Sequence, residues 1–254
     1  MTTALFVAWR GGEANHGTWG PVGKLEHDGV YRFCYTHGAR TVGGFQPFPG
    51  MDDLNQIYES DELLPLFKNR LLSPRRPEYE DYLRWGGFEP NSQPDPIAIL
   101  GVTEGKRETD SVEVFPCPAP DANGCYVNRF FLHGLRWMPP QTHERILRLQ
   151  SEERLFVMPD VCNPHDHHAV AVRTDLERTM IGYVPRYLAK DVCELLRNCE
   201  PVYINLFVQQ VNRDAPMQQR MLCRMQACWP DGFRPCSGPD FQPIPAEISA
   251  HCTS

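Results

Sequence analysis

The chain has 254 residues, and its 41% hydrophobic and 22% charged residues are ordinary proportions for a globular protein with a buried core. The net charge of −7 argues against a protein that coats long duplex DNA, because such proteins depend on many phosphate contacts. No apolar stretch approaches the length that crosses a bilayer and the N-terminus lacks a signal-peptide pattern, so we expect a cytoplasmic protein without a membrane partner.

The first part of the chain predicts a small sheet. Leu5–Trp9 fits a strand. The dipeptide Asp28-Gly29 favours a tight turn and lies between two β-type runs, Val22–Leu25 and Val30–Tyr35. This arrangement predicts a β-hairpin.

Helical patterns follow the hairpin. In YESDELLPLFKNRLLS, Ser60 fits a helix N-cap, and the apolar residues after it recur near helical spacing. RPEYEDYLRWGGF predicts a second short helix that ends before Gly86-Gly87. An apolar run, Ile97–Val102, completes this part of the chain.

A stretch rich in proline, FPCPAPDANG, predicts a linker at residues 115–126. The next part, residues 127–228, is predicted to be mostly β, with one clear helix in PRYLAKDVCELLRN, a shorter one at Gln141–Leu149 and a small barrel as its fold. The predicted strands are Phe130–Arg136, Leu155–Met158, Ala169–Arg173, Met180–Val184, Val202–Val211 and Met221–Trp229. A proline-rich tail, residues 229–254, is predicted to be irregular.

Charge is distributed unevenly over these parts. Residues 1–126 contain 11 Lys and Arg against 18 Asp and Glu, a net charge of −7. Residues 127–228 contain 13 against 11, a net charge of +2, and residues 229–254 contain one against three, a net charge of −2. The mildly basic middle part fits a small, local nucleic-acid site better than a long basic groove.

The ten cysteines show no CxxC spacing, which does not fit a zinc ribbon. In a reducing cytosol they are expected to be free thiols, many of them buried as small hydrophobic residues.

Three motifs carry a resemblance to a known family. GLRW at 134–137, NPHDHHAVAV at 163–172 and IGYVPRYLA at 181–189 occur in this order. Together they resemble the HIRAN domain, which implies an OB-like β-barrel with one or two helices over residues 127–228. Residues 5–110, above all GKLEHDGVYRFCY and YESDELLPLFKNRLL, resemble the N-terminal subdomain of the HipA toxin-kinase family, and residues 1–114 are predicted to form one module of this kind. No kinase core follows, so what this second resemblance implies is a docking role. The predicted fold class is α+β.

The HIRAN resemblance implies binding of single-stranded DNA at a free 3′-hydroxyl end. It assigns Asp166 to the terminal hydroxyl, and Trp137, His165 and Tyr183 to stacking or polar contact with bases. The remaining DNA-binding residues are Arg136, Arg186 and Lys190 for phosphates and Asn163 for the loop that presents Asp166. His165 replaces the Tyr that is usual in the family, and His168 replaces the usual Asn. Both changes affect the expected base preference, and they make the expected binding pH-sensitive because histidine titrates near neutral pH.

Two other interpretations of HDHH at 165–168 remain open. A metal site needs a third or fourth ligand from elsewhere, and no partner motif is apparent. The second interpretation is catalysis by a metal-dependent nuclease. Pro94-Asp95 followed by Glu104-Gly105-Lys106 is similar to a nuclease motif, although the gap between the two parts is short. NPHD can also be only a tight turn whose Asn and Asp cap backbone amides.

We therefore predict a non-enzymatic protein without a cofactor or metal. Its predicted function is to recognise single-stranded DNA ends, as an accessory in prokaryotic DNA repair or defence. The alternative from another class is a protein-interaction or antitoxin-like regulator that docks a protein partner through residues 5–72.

Overall fold

The computed structural model describes residues 3–11, 19–89, 91–107 and 110–245. Its strands are β1 (Thr3–Arg10), β2 (Trp19–His27), β3 (Tyr31–Tyr35), β4 (Tyr58–Ser60), β5 (Val112–Pro116), β6 (Cys125–Phe131), β7 (Arg154–Pro159), β8 (Val170–Thr174), β9 (Met180–Tyr183), β10 (Asn205–Val211) and β11 (Met221–Cys228). Its α-helices are α1 (Gly38–Thr41), α2 (Pro65–Lys68), α3 (Tyr79–Trp85), α4 (Pro96–Thr103), α5 (Pro140–Arg148) and α6 (Arg186–Asn198). No helix in this described part is long and apolar enough to cross a membrane.

The chain divides into two compact units. Unit 1 contains residues 1–74, 94–117 and 236–254, and unit 2 contains residues 75–93 and 118–235. This division differs from the predicted parts in that α3 lies in unit 2 and residues 236–245 of the predicted tail lie in unit 1. The last residues, 246–254, fall outside the described residues.

Unit 1 contains an antiparallel sheet with the strand order β4-β3-β2-β1-β5. The predicted hairpin is confirmed, since β2 and β3 pair Leu25 with Phe33 on either side of the turn at Asp28-Gly29. Its hydrophobic core includes Leu25, Phe33, Phe67 and Leu100. The tail is not isolated from this core, because Ile244 packs against it. The Phe241 ring also packs edge-on against Phe6, with 5.0 Å between ring centroids.

Two predicted elements of the first part differ from the structure. Ser60 does not begin a helix; it lies in β4 and pairs with Tyr31, and its Oγ accepts a hydrogen bond from the backbone N of Glu62. The helix is restricted to α2 because Pro65 disfavours a helical conformation at the residue before it. The apolar run at 97–102 lies in helix α4.

The predicted linker is shorter than residues 115–126. Phe115 is buried in β5 and Tyr126 is buried in β6, so strands occupy both ends of this segment. The predicted strand Phe130–Arg136 also ends early, at Phe131. Gly134 has a φ of +75° and leads into a 3-10 turn at Leu135–Trp137.

Unit 2 contains an antiparallel sheet with the strand order β6-β11-β10-β7-β8-β9. The sheet curls so that its two edges meet: the backbone N of His133, just after β6, donates to the carbonyl O of Tyr183 in β9 at 2.9 Å, and the reverse bond is also 2.9 Å. Gly182 allows this approach, because a Cβ there would lie 2.7 Å from the His133 carbonyl O. Unit 2 is therefore a mixed helix-and-sheet fold with a curled sheet.

Helix α6 has the predicted amphipathic pattern, with Pro185 as its N-cap residue. Its buried face includes Leu188, Val192 and Leu195. The same face also contains Asp191, only 8% exposed, whose Oδ2 has no hydrogen-bond partner within the described residues. Burial, followed by the negative charge of Glu194, raises the pKa of Asp191 to about 7.

Candidate nucleic-acid interface

The turn at residues 163–168 is shaped by two of the predicted site residues. Asn163 Oδ1 accepts hydrogen bonds from the backbone N of His165 at 3.0 Å and of Asp166 at 3.2 Å. Asp166 Oδ1 accepts from the backbone N of His168 at 2.9 Å. The turn thus uses one carboxylate oxygen of Asp166 and leaves the other available, while the His165 side chain is exposed.

The second oxygen of Asp166 faces the beginning of α6. Arg186 Nε lies 3.5 Å from Asp166 Oδ2, and the two side chains are 34% and 19% exposed. A carboxylate and a guanidinium are thereby held side by side at a partly exposed surface. Such a pair can accept a hydrogen bond from a hydroxyl and donate to a phosphate within one short distance.

Asp160 is the residue of this surface that the sequence did not single out. Its Oδ2 accepts hydrogen bonds from Tyr183 Oη at 2.9 Å and from Asn163 Nδ2 at 3.2 Å. Burial first, and then the hydrogen bond with Asp160, raises the pKa of Tyr183. Asp160 therefore joins β9 to the turn that carries Asp166. The available signal was an Asp three residues before Asn163, at the end of a predicted strand.

Trp137 and Arg136 lie in the 3-10 turn after β6. The turn packs against β9, since a Cβ at Gly134 would lie 3.0 Å from the Tyr183 ring. The indole of Trp137 is 74% exposed, and the Arg136 guanidinium lies 4.7 Å from its ring centroid. A large aromatic face with a cation beside it is thus presented to solvent.

The structure connects seven of the eight predicted DNA-binding residues, and Asp160 joins them. We call this set the candidate surface: Arg136, Trp137, Asp160, Asn163, His165, Asp166, Tyr183 and Arg186. Lys190 lies one turn beyond Arg186 on α6 and is exposed. None of its described contacts reaches the candidate surface, so the prediction that it contributes remains untested.

The described residues contain no arrangement of side chains that supports a metal site or a nuclease site at these positions. There, no three His, Cys, Asp or Glu side chains are grouped so that they could hold a metal ion. Asp95 caps the beginning of α4, where its Oδ1 accepts from the backbone N of Ile97, and Glu104 lies beyond the end of that helix. Eight helical residues separate them by about 12 Å along the axis, so the nuclease-like string does not form one cluster.

Glu104 instead belongs to a charged network in unit 1. Its carboxylate pairs with Lys106 Nζ at 2.5 Å, and Lys106 also lies 3.5 Å from Glu113. Glu113 in turn pairs with Arg10 at 2.9 Å. Two acids and two bases balance each other here, which is the arrangement of a structural network.

Comparison with known proteins bears on unit 2. Residues 126–221 match the family model of the HIRAN domain. We call these residues the HIRAN segment; every member of the candidate surface lies within it. The predicted resemblance is thus supported over this segment, whereas the resemblance of residues 5–110 to the HipA subdomain is not confirmed and stays a prediction. No curated protein matches the chain.

Two solved structures are similar to this chain. The HIRAN domain of human HLTF shares 18% sequence identity, over 42% of this chain and 81% of that one, with a TM-score of 0.31. A protein from Lactobacillus plantarum shares 16% identity, over 41% of this chain and 97% of that one, also with a TM-score of 0.31.

Proposed function

We propose that the HIRAN segment binds single-stranded DNA at a free 3′-hydroxyl end and catalyses no reaction. The observation that carries this proposal is the pair of Asp166 and Arg186, whose charged atoms lie 3.5 Å apart at a partly exposed surface. The proposed biological setting is that of an accessory protein in prokaryotic DNA repair or defence.

Each part of the candidate surface has a distinct role in this proposal. Asp166 accepts a hydrogen bond from the terminal 3′-hydroxyl, and its negative charge repels a terminal phosphate. Arg186 and Arg136 donate to the phosphates that precede the end. Trp137 offers a face on which a base stacks, with His165 and Tyr183 as further ring surfaces.

The net charge of the chain agrees with a site of this size. A surface with two arginines neutralises few phosphates, so we expect affinity to fall with salt less steeply than for proteins that make six or more phosphate contacts. Specificity for an end then depends on the carboxylate rather than on a basic groove.

A binding comparison tests the requirement for an end. Fluorescence anisotropy is measured with one internally labelled DNA sequence in three forms: a linear single strand, a covalently closed circle and a blunt duplex. We expect the linear strand to bind and the circle, which has no end, to bind much more weakly. Equal binding of circle and linear strand would contradict end recognition.

Replacing Trp137 with alanine is expected to weaken binding of the linear strand by about 1–3 kcal/mol, because base stacking on an aromatic side chain contributes about this much. The change should leave the fold intact, since the indole is mostly solvent-exposed. Anisotropy titrations measure the effect, and Leu176→Ala, at another exposed apolar residue of unit 2, is the matched control. Unchanged affinity in Trp137→Ala would show that no base stacks on Trp137.

The docking alternative predicted an apolar patch on residues 5–72. In the described part of that range no large hydrophobic side chain is exposed. The exposed ones known from the structure all lie in unit 2, at Trp137, Leu147, Met158, Val161, Leu176, Val202, Tyr203 and Met217. Unit 1 does have a concave cavity of about 250 Å³, bordered by residues that include Met51, Ile57 and Leu64, but nothing in the structure identifies an occupant.

A further inference from the structure

Two cysteines meet where α6 and β11 end. Cys199 is the C-cap residue of α6, and Cys228 is the last residue of β11. Cys199 Sγ lies 3.6 Å from the carbonyl O of Cys228, so the Cys199 side chain is directed towards Cys228. Both are present as free thiols.

The surroundings allow these two sulfur atoms to bond to each other. A disulfide needs two Cα atoms within about 7 Å and Cβ atoms that point towards one another. The Cys199 side chain already points towards Cys228, whose carbonyl O its Sγ approaches. Both elements are held by packing independent of the cysteines, since Leu195 of α6 and Ala227 of β11 are buried. The Cys199 side chain is therefore held beside Cys228 by packing that does not involve the two thiols.

A third cysteine competes for the same partner. Cys125 lies directly opposite Cys228 in the pairing of β6 with β11. The Cys125 thiol, however, points to the preceding turn, where its Sγ lies 3.9 Å from the carbonyl O of Asn123. The contact with Cys199 is thus the one that the side-chain positions favour.

We propose that Cys199 and Cys228 are a redox-modification site, at which a peroxide or another thiol oxidant forms a disulfide that joins α6 to β11. With hydrogen peroxide, the Cys228 sulfur is first oxidised to a sulfenic acid and one water is released. The Cys199 sulfur then attacks that sulfur, the S–O bond breaks, and the hydroxyl leaves as a second water. Two thiols lose two electrons and two protons, and one peroxide becomes two waters.

The order of these steps follows from the environments of the two thiols. Cys228 is partly exposed, so peroxide can reach it. Cys199 is buried, and burial raises its pKa to about 12, which keeps it a thiol and makes it a poor first target. We therefore expect a slow reaction that begins at Cys228 and is reversed by a dithiol reductant.

Peptide mapping of the full-length protein tests the proposal. The reduced, desalted protein is treated with hydrogen peroxide, and unreacted thiols are alkylated before digestion under non-reducing conditions. Trypsin releases residues 198–213, in which Cys199 is the only cysteine. We expect this peptide to appear in a cross-linked species that dithiothreitol removes, in the wild type and in Cys125→Ser, but not in Cys228→Ser.

A thermal measurement gives a second result that does not depend on mapping. Oxidation is expected to raise the Tm of the wild type by several degrees, because the new bond closes a loop in the unfolded chain. Cys125→Ser should show the same rise, whereas Cys228→Ser and Cys199→Ala should not. Cross-linking of Cys125 in place of Cys199, or recovery of residues 198–213 only in alkylated form, would overturn the proposal.

Discussion

Replacing Asp191 with asparagine is expected to stabilise the protein at pH 8 by about 4 kcal/mol more than at pH 4. The carboxyl is buried on α6, its Oδ2 has no hydrogen-bond partner among the described residues, and its pKa is raised to about 7. In the unfolded chain the same carboxyl has the ordinary value of 3.8. Burial is the larger cause, Glu194 adds to it and the positive charge of Lys190 opposes it.

The sign of the effect follows from proton binding in the two states. Below about pH 4 the carboxyl is protonated in both states and no penalty exists. Between about pH 4 and 7 the unfolded chain releases the proton and the folded chain keeps it, so the wild type loses stability as the pH rises. Above about pH 7 the full penalty is present. Asparagine has nearly the same shape and cannot ionise, so it abolishes this dependence.

Urea unfolding followed by circular dichroism between pH 4 and 8 measures the prediction. Glu194→Gln is the matched control, because it removes the same charge from a partly exposed site on the same helix. It should reduce the pH dependence only slightly. If the wild type and Asp191→Asn lose stability in parallel as the pH rises, Asp191 does not titrate as described.

Replacing Gly182 with alanine is expected to destabilise the protein by about 3 kcal/mol. Its φ of +152° is one that L-residues rarely adopt, and a Cβ would lie 2.7 Å from the His133 carbonyl O and 2.8 Å from the Leu132 side chain. The substitution would separate the two backbone hydrogen bonds between His133 and Tyr183 that join the edges of the curled sheet. Because Tyr183 belongs to the candidate surface, DNA binding should weaken as well.

Gly124→Ala separates two contributions to the expected loss at Gly182: the steric clash of a Cβ and the free energy of a backbone conformation that favours glycine. Gly124 also has a positive φ, +72°, but a Cβ there meets nothing within 4 Å. It should cost only about 1 kcal/mol, measured by the same urea unfolding experiment. Similar losses in both variants would show that the close approach at Gly182 is not what makes glycine necessary.

Local patterns in the sequence were sufficient for much of the fold. The Asp28-Gly29 turn between two β-type runs predicted the hairpin, and the apolar spacing in residues 186–198 predicted α6. The NPHD turn is also local, since Asn163 and Asp166 bond to backbone amides only two or three residues away. Because these interactions span few residues, sequence spacing determines them.

Long-range pairing explains what the sequence did not predict. Ser60 carries a helix-cap pattern, yet its pairing with Tyr31 places it in a strand. Asp160 becomes part of the candidate surface only because β9 brings Tyr183 to it, 23 residues later in the chain. Asp191 is an ordinary charged residue in the sequence, and only the packed structure shows it buried on α6. No spacing rule within one element contains this information.

Recognition of the DNA end is measured by comparing the affinity of the wild type for a single-stranded DNA that ends in a 3′-hydroxyl with its affinity for the same DNA ending in a 3′-phosphate. Asp166→Asn is measured beside it at the same moderate salt. Asparagine keeps the oxygen that accepts from the His168 backbone N, so the turn should persist while the charge is lost. Asp175→Asn, at an exposed aspartate of unit 2, is the control.

We expect the wild type to prefer the 3′-hydroxyl by roughly tenfold or more, because a terminal phosphate would lie against the Asp166 carboxylate. Asp166→Asn should lose this preference and bind the 3′-phosphate more tightly than the wild type does, since the negative charge beside the terminal phosphate is gone. Asp175→Asn should keep the preference. Equal affinity of the wild type for both ends, or a preference that survives in Asp166→Asn, would contradict the claim that Asp166 recognises the end of a DNA strand.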